Sequence, residues 1–542
     1  MSLPSRTDQQ TLDFMGKTPW DKTTLTFGFP TAAEDVYGYQ DESGQFFPMN
    51  AEQQAGIKFA LALWQDLIPV TFVQNQSGIP DLAFAMAEGI DGAYAYMPGT
   101  NDKLSAWFGA GIGLFDGEII VGAEGFLTFV HEIGHTLGLG HAGDYNGDDN
   151  SGASAFQDST VYTVMSYYGP SERAGEGSVA WADWVNAAGE LLAPQTPMID
   201  DIMVIQALYG ARTDTRVDGT VYGFGSNVTG TMSVLYDFTV NEDPVLAIYD
   251  SGGIDTLNVS GWASASRIDL TPGAFSDANN MTHNISIARN VTIENAVTGA
   301  GNDVIIGNDA ANHLQAGAGN DTLKGGAGND ILDGGLGTDT AQYDGAFADY
   351  LVGYDIPESH FTVSHRTGTD GVDTLIAIEQ GEFSDRTDSL ESLLPTVFRF
   401  FNEVSGKHFY TGNLGEAQNV YDTLDAFRYE GAGFGRTLTA SEATVDMYRF
   451  YNTVTNTHFY TTNAAEAESV RTNLPDYRYE GVAFQVEGVK TESTVSLYRF
   501  YNTENGTHFY TSNQAEADSI IANLTDAYAY EGVAAYVDSL VI

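Results

Sequence analysis

The stretch HEIGHTLGLGH, residues 131–141, sets three imidazoles and one carboxylate close together in sequence. On an α-helix, His131 and His135 stand four apart and project from one face. Two neutral imidazoles at that spacing can grip one Zn²⁺. Glu132, beside the first ligand, is placed to take a proton from an activated water. Gly138 lets the chain turn out of the helix, and His141 can then swing back as a third ligand. A catalytic zinc needs three protein ligands and an open position, and this one segment supplies that set. The competing reading, chance histidines on a buried helix, leaves the regular spacing unexplained.

Working outward, the sequence places a strand at 24–30 (TLTFGFP) and a helix over 51–67, where Ile57, Ala60, Leu61 and Trp64 recur at helical spacing. Further strands are expected at 70–74 and 81–87, and an edge strand at 93–99, placed to pair with an extended substrate. The zinc helix should begin near Glu124, and a Gly/Asp/Asn-rich loop follows it to Tyr162. In VMSYY (164–168), Met165 can form a tight turn beneath the metal. Tyr167 can then reach the metal or hydrogen-bond a tetrahedral intermediate. An amphipathic helix at 198–210 closes this region, and residues 1–20 read as a flexible lead or a short helix.

From about residue 250 the composition shifts to Gly, Asn and Asp. Five nine-residue blocks tile residues 298–342: TGAGNDVII, GNDAANHLQ, AGAGNDTLK, GGAGNDILD and GGLGTDTAQ. This is the Gly-Gly-x-Gly-x-Asp-x-U-x repeat of calcium-binding rolls. Gly299, Gly301, Gly317, Gly319, Gly326, Gly328, Gly335 and Gly337 permit the turn that aims carbonyls at a cation. Asp303, Asp321, Asp330 and Asp339 add carboxylate oxygens, and Ca²⁺ takes six to eight such ligands. Ile305, Leu314, Leu323 and Leu332 fill a narrow core. Asn312 replaces the aspartate of the second block, so a weaker site is expected there. YDSGGIDTLNVSG (249–261) reads as one more turn of this kind, with Asp250, Gly252 and Asp255 as ligands.

The last part of the chain repeats another unit three times, at 398–413, 448–463 and 498–513, offset by 50 residues. Each copy reads strand, turn, strand, helix, strand, which suggests a β-rich domain with pseudo-threefold symmetry. The recurring residues are His408, His458 and His508 with Tyr410, Tyr460 and Tyr510. Three readings stay open: an aromatic core, three pockets where tyrosines stack on sugar rings, and a three-histidine metal site on the axis.

Composition bounds the partners. The 542 residues carry 22 Lys+Arg against 73 Asp+Glu, a net charge of −51. That balance excludes nucleic acid and anionic membrane surfaces as partners and favours cations. There is no cysteine, so no disulfide staples the fold. No stretch approaches the ~18 apolar residues of a membrane span, and the N-terminus lacks the apolar run of a secretory signal.

Together and in this order, HEIGHTLGLGH, GDYN (143–146), VMSYY, ISIARNVTIENAVTGAGNDVIIGN (285–308) and IEQGEFSD (378–385) resemble the serralysin family of metzincin metalloproteases. The resemblance covers roughly residues 20–390. It implies a metzincin catalytic domain of mixed twisted sheet and helices over 21–215 and a parallel β-roll over 216–395; with the repeats as an appended module over 396–542, the chain reads as a multidomain α+β protein. Residues 1–20 would be an N-terminal lead, read as a propeptide remnant. It implies His131, His135 and His141 as zinc ligands, Glu132 as catalytic base, and Tyr167 as a further ligand that leaves as substrate binds. It implies one catalytic Zn²⁺, several structural Ca²⁺ and protein or peptide substrates. It also implies export through a Gram-negative type I exporter to the extracellular space, by an uncleaved C-terminal signal. The terminal residues, Asp538 to Ile542, are similar to that signal, though Ser539 departs from it. Ala142 and Tyr168 stand where the family commonly has proline and tryptophan. A monomer is expected. The repeat module lies outside the family's plan; polysaccharide or a cell surface is its expected partner. The reading from a different class is an adhesin or matrix-binding protein with a vestigial peptidase domain.

Overall fold

The computed structural model describes residues 3–36, 45–75, 77–99, 102–110, 115, 119–146, 152–170, 173–174, 177–438 and 441–538, with 173–174 and 177–178 in backbone alone. The last four residues of the expected export signal lie outside this set. The protein is rich in β-strands with few helices, and the chain divides into two units, Met1–Thr340 and Ala341–Ile542.

The first unit opens with helix α1 (Asp8–Met15), so the short-helix alternative holds for the lead. Thr7 and Gln10 close a reciprocal capping box at its start. Strand β1 (Thr24–Gly28) follows, then the short β2 (Phe46–Phe47), helix α2 (Ala51–Leu67), β3 (Thr71–Gln74), β4 (Leu82–Ala87), β5 (Ala93–Ala95) and β6 (Leu104–Gly109). The sheet order is β3-β1-β4-β6-β5, with β2 pairing β4. β3, β1, β4 and β6 run parallel, and β5 runs antiparallel to β6 at the edge. β4 and β6 are buried at every residue. β4 was expected from its unbroken apolar run, whereas in β6 Ser105 interrupts the run and Gly109 ends it, and no strand was expected there.

Helix α3 (Glu124–Thr136) packs on α2. Phe129 of α3 lies 4.8 Å from the Phe108 ring of β6 and stacks on Phe115, and the Trp64 indole of α2 donates to the Val130 carbonyl. Gly56 of α2 allows this approach, since a Cβ there would come within 2.9 Å of Phe129. Helix α4 (Ile199–Tyr209) packs against both α1 and α2.

Beyond α4, three-residue strands alternate between two parallel ladders. One joins Val221–Gly223, Thr256–Asn258, Asn295–Val297, His313–Gln315 and Ile331–Asp333; the other joins Arg267–Asp269, Val304–Ile306 and Thr322–Lys324. Successive nine-residue blocks thus fall on opposite ladders, and 18 residues complete one turn. Leu257, Ala296, Leu314 and Leu332 meet Ile268, Ile305 and Leu323 in the core between them, all fully buried.

In the second unit, each repeat forms two strands, a helix and a long strand. The copies are Thr396–Asn402, Lys407–Thr411, Leu414–Thr423 and Phe427–Gly435; then Thr444–Asn452, Thr457–Thr461, Ala464–Asn473 and Tyr477–Glu487; then Thr494–Asn502, Thr507–Thr511, Gln514–Asn523 and Tyr528–Asp538. Asn413, Asn463 and Asn513 cap the three helices through their side chains. Tyr410, Tyr460 and Tyr510 are buried at the centre in a closed cycle of hydrogen bonds. The Tyr410 hydroxyl donates to the Tyr510 carbonyl, Tyr460 to Tyr410, and Tyr510 to Tyr460, at 3.0, 2.7 and 2.5 Å. These phenols are therefore core, and none can stack on an external sugar. His408, His458 and His508 each face a glutamate of their own repeat, Glu430, Glu480 and Glu531, at 3.2–3.3 Å. Among the described residues no metal cluster forms from these histidines.

Candidate metal centre and cleft

The three imidazoles of 131–141 converge: a ring nitrogen from each lies within 4.8 Å of those of the others. Local structure fixes how each ring is presented. Nδ1 of His131 hydrogen-bonds the Val164 carbonyl at 2.7 Å, Nδ1 of His135 the Leu139 carbonyl at 2.8 Å, and Nδ1 of His141 the Tyr145 carbonyl at 2.9 Å. A carbonyl only accepts, so each Nδ1 carries the proton and each Nε2 is left as a lone pair. Nε2 of His135 and Nε2 of His141 then face each other at 2.9 Å. Two lone pairs at that distance repel unless a cation lies between them. Burial holds His131 down to about 3 and pulls His135 and His141 below the ordinary range, so the rings are neutral at pH 7. Neutral rings with Nδ1 anchored and Nε2 converging are the donor set a Zn²⁺ requires.

Gly138 ends α3 at φ +95°, and a Cβ there would meet the Thr18 carbonyl at 2.6 Å. The residue must be glycine for both reasons, and this turn returns His141 to the other two rings. Gly134, within α3, lies over Met165: a Cβ would come within 2.7 Å of the Met165 sulfur. Met165 is fully buried and forms the floor of the site. The Tyr167 ring lies 4.6 Å from His141 and stacks on Tyr145. Glu132 is buried, its Oε2 has no hydrogen-bond donor, and burial pushes its carboxyl up to about 8.

Several supporting residues were not anticipated from sequence. Asp201, buried at the start of α4, accepts from the Thr163 hydroxyl and from the backbone N–H groups of Val164 and Met198 at 2.5–2.8 Å. It thereby sets the turn whose Val164 carbonyl orients His131. Its burial without a cationic partner raises its carboxyl to about 7. Tyr145 donates to Asp158 and accepts from the Tyr167 backbone N–H, which ties the 143–146 segment to the turn after Met165. An Asp-Asp pair inside an otherwise apolar helix was the available signal for Asp201, but acids in a first helical turn are common on solvated faces.

The cleft holds about 400 Å³, bounded by Glu132, His135, His141 and Tyr167, by β5 with Met97, and by Phe14 and Lys17. β5 stands at the end of the sheet's strand order and lines this opening. The N-terminal segment is part of the wall. Gly16 bridges Leu139, Lys17 N–H donates to the Gly138 carbonyl, and the Trp20 indole donates to the Thr136 carbonyl.

In the roll, the expected calcium-binding aspartates stack at intervals of 18 residues. Asp303 accepts the Ser266 N–H, Asp321 the Asp303 N–H and Asp339 the Asp321 N–H, each through Oδ1 at 2.6–2.8 Å. Asp330 accepts the Asn312 N–H, and Asp255 the Thr220 N–H. The second carboxylate oxygen of Asp255, Asp303 and Asp321 is buried with no donor. Such an atom needs a cation or a proton, so the turns fit Ca²⁺. Gly301, Gly317, Gly319, Gly326, Gly328, Gly335 and Gly337 have positive φ, as does Gly252, while Gly299 does not. Asp250 differs: one of its oxygens accepts from Tyr222 and the other from the Gly252 N–H. In the second block, Asn312 accepts the Asn308 N–H and donates to the Glu294 carbonyl.

Comparison with known proteins places these features. A family model described as Peptidase M10 serralysin C terminal matches residues 211–374, and a domain of unknown function, DUF5648, matches 396–538. Serralysin of Photorhabdus laumondii subsp. laumondii is 39% identical over 284 residues, covering 50% of this chain and 56% of the relative. Metallopeptidase AprA of Pseudomonas marginalis is 38% identical over 308 residues, covering 54% and 62%. Serralysin of Proteus mirabilis is 36% identical over 313 residues, covering 52% and 61%. The chain spans about half to three-fifths of the length of the curated relatives it matches.

Proposed function

We propose, from its similarity to serralysins, that this chain is a secreted zinc-dependent endopeptidase of that family, held in shape by calcium. The observation that carries the reading is the set of three neutral imidazoles whose Nε2 atoms converge beside the buried carboxyl of Glu132. His131, His135 and His141 would hold the zinc. Bound there, Zn²⁺ supplies Lewis acidity toward a scissile carbonyl and toward water. The remaining work belongs to the chain. Glu132 takes the proton of the attacking water and passes it to the leaving amine. Tyr167, at the cleft wall, donates a hydrogen bond to the developing oxyanion, worth roughly 2.7–4 kcal/mol in comparable sites. β5 receives the peptide as an added strand.

Glu132→Ala should keep stoichiometric zinc and the fold while cleavage of casein falls by about 10²–10⁴-fold. Undiminished cleavage in that variant would remove the assignment.

The turns bearing Asp255, Asp303, Asp321, Asp330 and Asp339 take Ca²⁺ in this reading. Calcium scarce in the cytosol and abundant outside would then delay folding of the roll until after passage through a type I exporter. The second unit is read as three repeats closed about the tyrosine cycle, an appended module that targets polysaccharide. Surface tyrosines such as Tyr479 and Tyr530, rather than the buried trio, would provide its stacking faces. Tyr479→Ala with Tyr530→Ala should abolish retention on insoluble polysaccharide; unchanged retention would end the targeting role.

A further inference from the structure

The cleft is lined by a lysine that the zinc chemistry leaves unused. Lys17 follows α1, is exposed, and lines the same opening as Glu132 and His141. Its position is fixed from both sides. Lys17 N–H donates to Gly138 O at 2.9 Å, Gly16 bridges Leu139, and Gly140 N–H donates to Met15 O at 2.6 Å. Residues 15–17 and 138–140 thus run as a short ladder, and the next residue of its second strand is His141. Gly140 has no side chain where Lys17 passes. A Cβ there would come within 2.6 Å of the lysine Cε and 3.4 Å of Nζ. The absence of a side chain at 140, next to the third imidazole in sequence, is what leaves room for the lysine chain there.

The ammonium has capacity to spare. Nζ donates one hydrogen bond, to the Phe14 carbonyl at 2.6 Å, and stands 5.7 Å over the Phe14 ring. An ammonium has three donors, and among the described residues no carboxylate lies within ion-pair distance of this one. By contrast, Lys22 and Lys103 are both engaged by Asp81. A cation lining the same opening as His135 and His141, with two donors unassigned, attracts an anionic group on whatever occupies the cleft.

We propose that Lys17 is a specificity-determining residue of the cleft, binding a carboxylate of the peptide substrate. This rests on the peptidase reading above. The carboxylate is either an Asp or Glu side chain flanking the scissile bond or a free C-terminus close to it, and the two sources are separable by experiment.

The test uses the full chain loaded with Zn²⁺ and Ca²⁺ and a matched set of fluorogenic peptides. One is neutral with an amidated C-terminus, a second series carries one Glu at each position near the scissile bond and is amidated, and a third is neutral with a free C-terminus. A charge-assisted hydrogen bond should favour one carboxylate-bearing arm over the neutral peptide by about tenfold in kcat/KM. Preference for the Glu series assigns a side-chain carboxylate, and preference for the third arm a terminal one. In Lys17→Met the ratio should fall to near one, in Lys17→Arg it should be kept, and in Lys17→Glu it should invert in favour of a Lys-bearing peptide. The ratio is the readout, because a general loss of activity does not move it. No preference for either carboxylate arm in the parent protein, or an unchanged ratio in Lys17→Met, overturns the proposal. Failure to cleave any peptide would instead overturn the peptidase reading.

Discussion

Two sets of three ring-bearing side chains converge in this chain, and they do so by opposite routes. His131, His135 and His141 lie within eleven residues, and one helix plus one glycine turn brings them together. Tyr410, Tyr460 and Tyr510 lie 50 and 100 residues apart, and only the closing of three repeats brings them together. The histidines end with lone pairs pointing inward and need a cation. The tyrosines end with every hydroxyl donating to a neighbour's carbonyl and need nothing. A cluster whose polar atoms remain unsatisfied is built for a ligand; one whose hydrogen bonds close on themselves is built for stability.

The roll resembles the first set, and withdrawing calcium should produce the largest effect. With zinc held constant, chelation at pH 7.5 should lower the melting temperature by more than about 10 °C, as buried carboxylates lose their counter-ion. The sign of the pH dependence follows from the same groups. Burial raises the carboxyls of Asp255 and Asp321 from 3.8 to about 6. A raised folded value means their contribution is full at low pH and is lost as pH climbs from about 4 through 6. Without calcium, the melting temperature should therefore fall across that window. With millimolar calcium the fall should disappear. Equal profiles with and without the ion would place the roll with the self-satisfied set instead.

Asp201→Ala comes next. It strands the Thr163 hydroxyl and two backbone N–H groups and frees the turn that orients His131. We expect a loss of about 3 kcal/mol in denaturant unfolding and a 10–100-fold weaker zinc affinity in chelator competition. An unaltered zinc affinity would show that His131 is held by α3 alone.

Tyr460→Phe should have the smallest effect. It deletes the bond to the Tyr410 carbonyl and the acceptor for the Tyr410 N–H. The second unit should lose about 1–3 kcal/mol, with casein cleavage unchanged. A change in cleavage would break the contrast by coupling the tyrosine cycle to the zinc site.

The legible parts of this protein were those in which short-range spacing carries the chemistry. Helical periodicity located α2, the four-residue step from His131 to His135 located α3, and the nonapeptide register located the strands and aspartates of the roll. The hidden parts depend on partners remote in sequence. Asp201 serves His131 from 70 residues away, and its pairing with a turn at 163–165 has no local signature. β6 is held by its pairing with β4 and β5, while Ser105 and Gly109 break its apolar run. Residues 15–17 of the polar lead are tied by ladder bonds to 138–140, and Phe14 and Lys17 thereby line the cleft.

The sequence by itself determined which side chains stand together in the candidate metal centre, their order and their local geometry. A four-residue step on a helix fixes two imidazoles, and Gly138 fixes the return of the third. Only the tertiary structure decided which nitrogen of each ring points inward, because that depends on carbonyls supplied by Leu139, Tyr145 and Val164. It also decided that the repeated tyrosines are a sealed core and that Lys17 shares a wall with His141. Spacing along a chain specifies what a single element presents; which groups are left unsatisfied depends on every element packed around it.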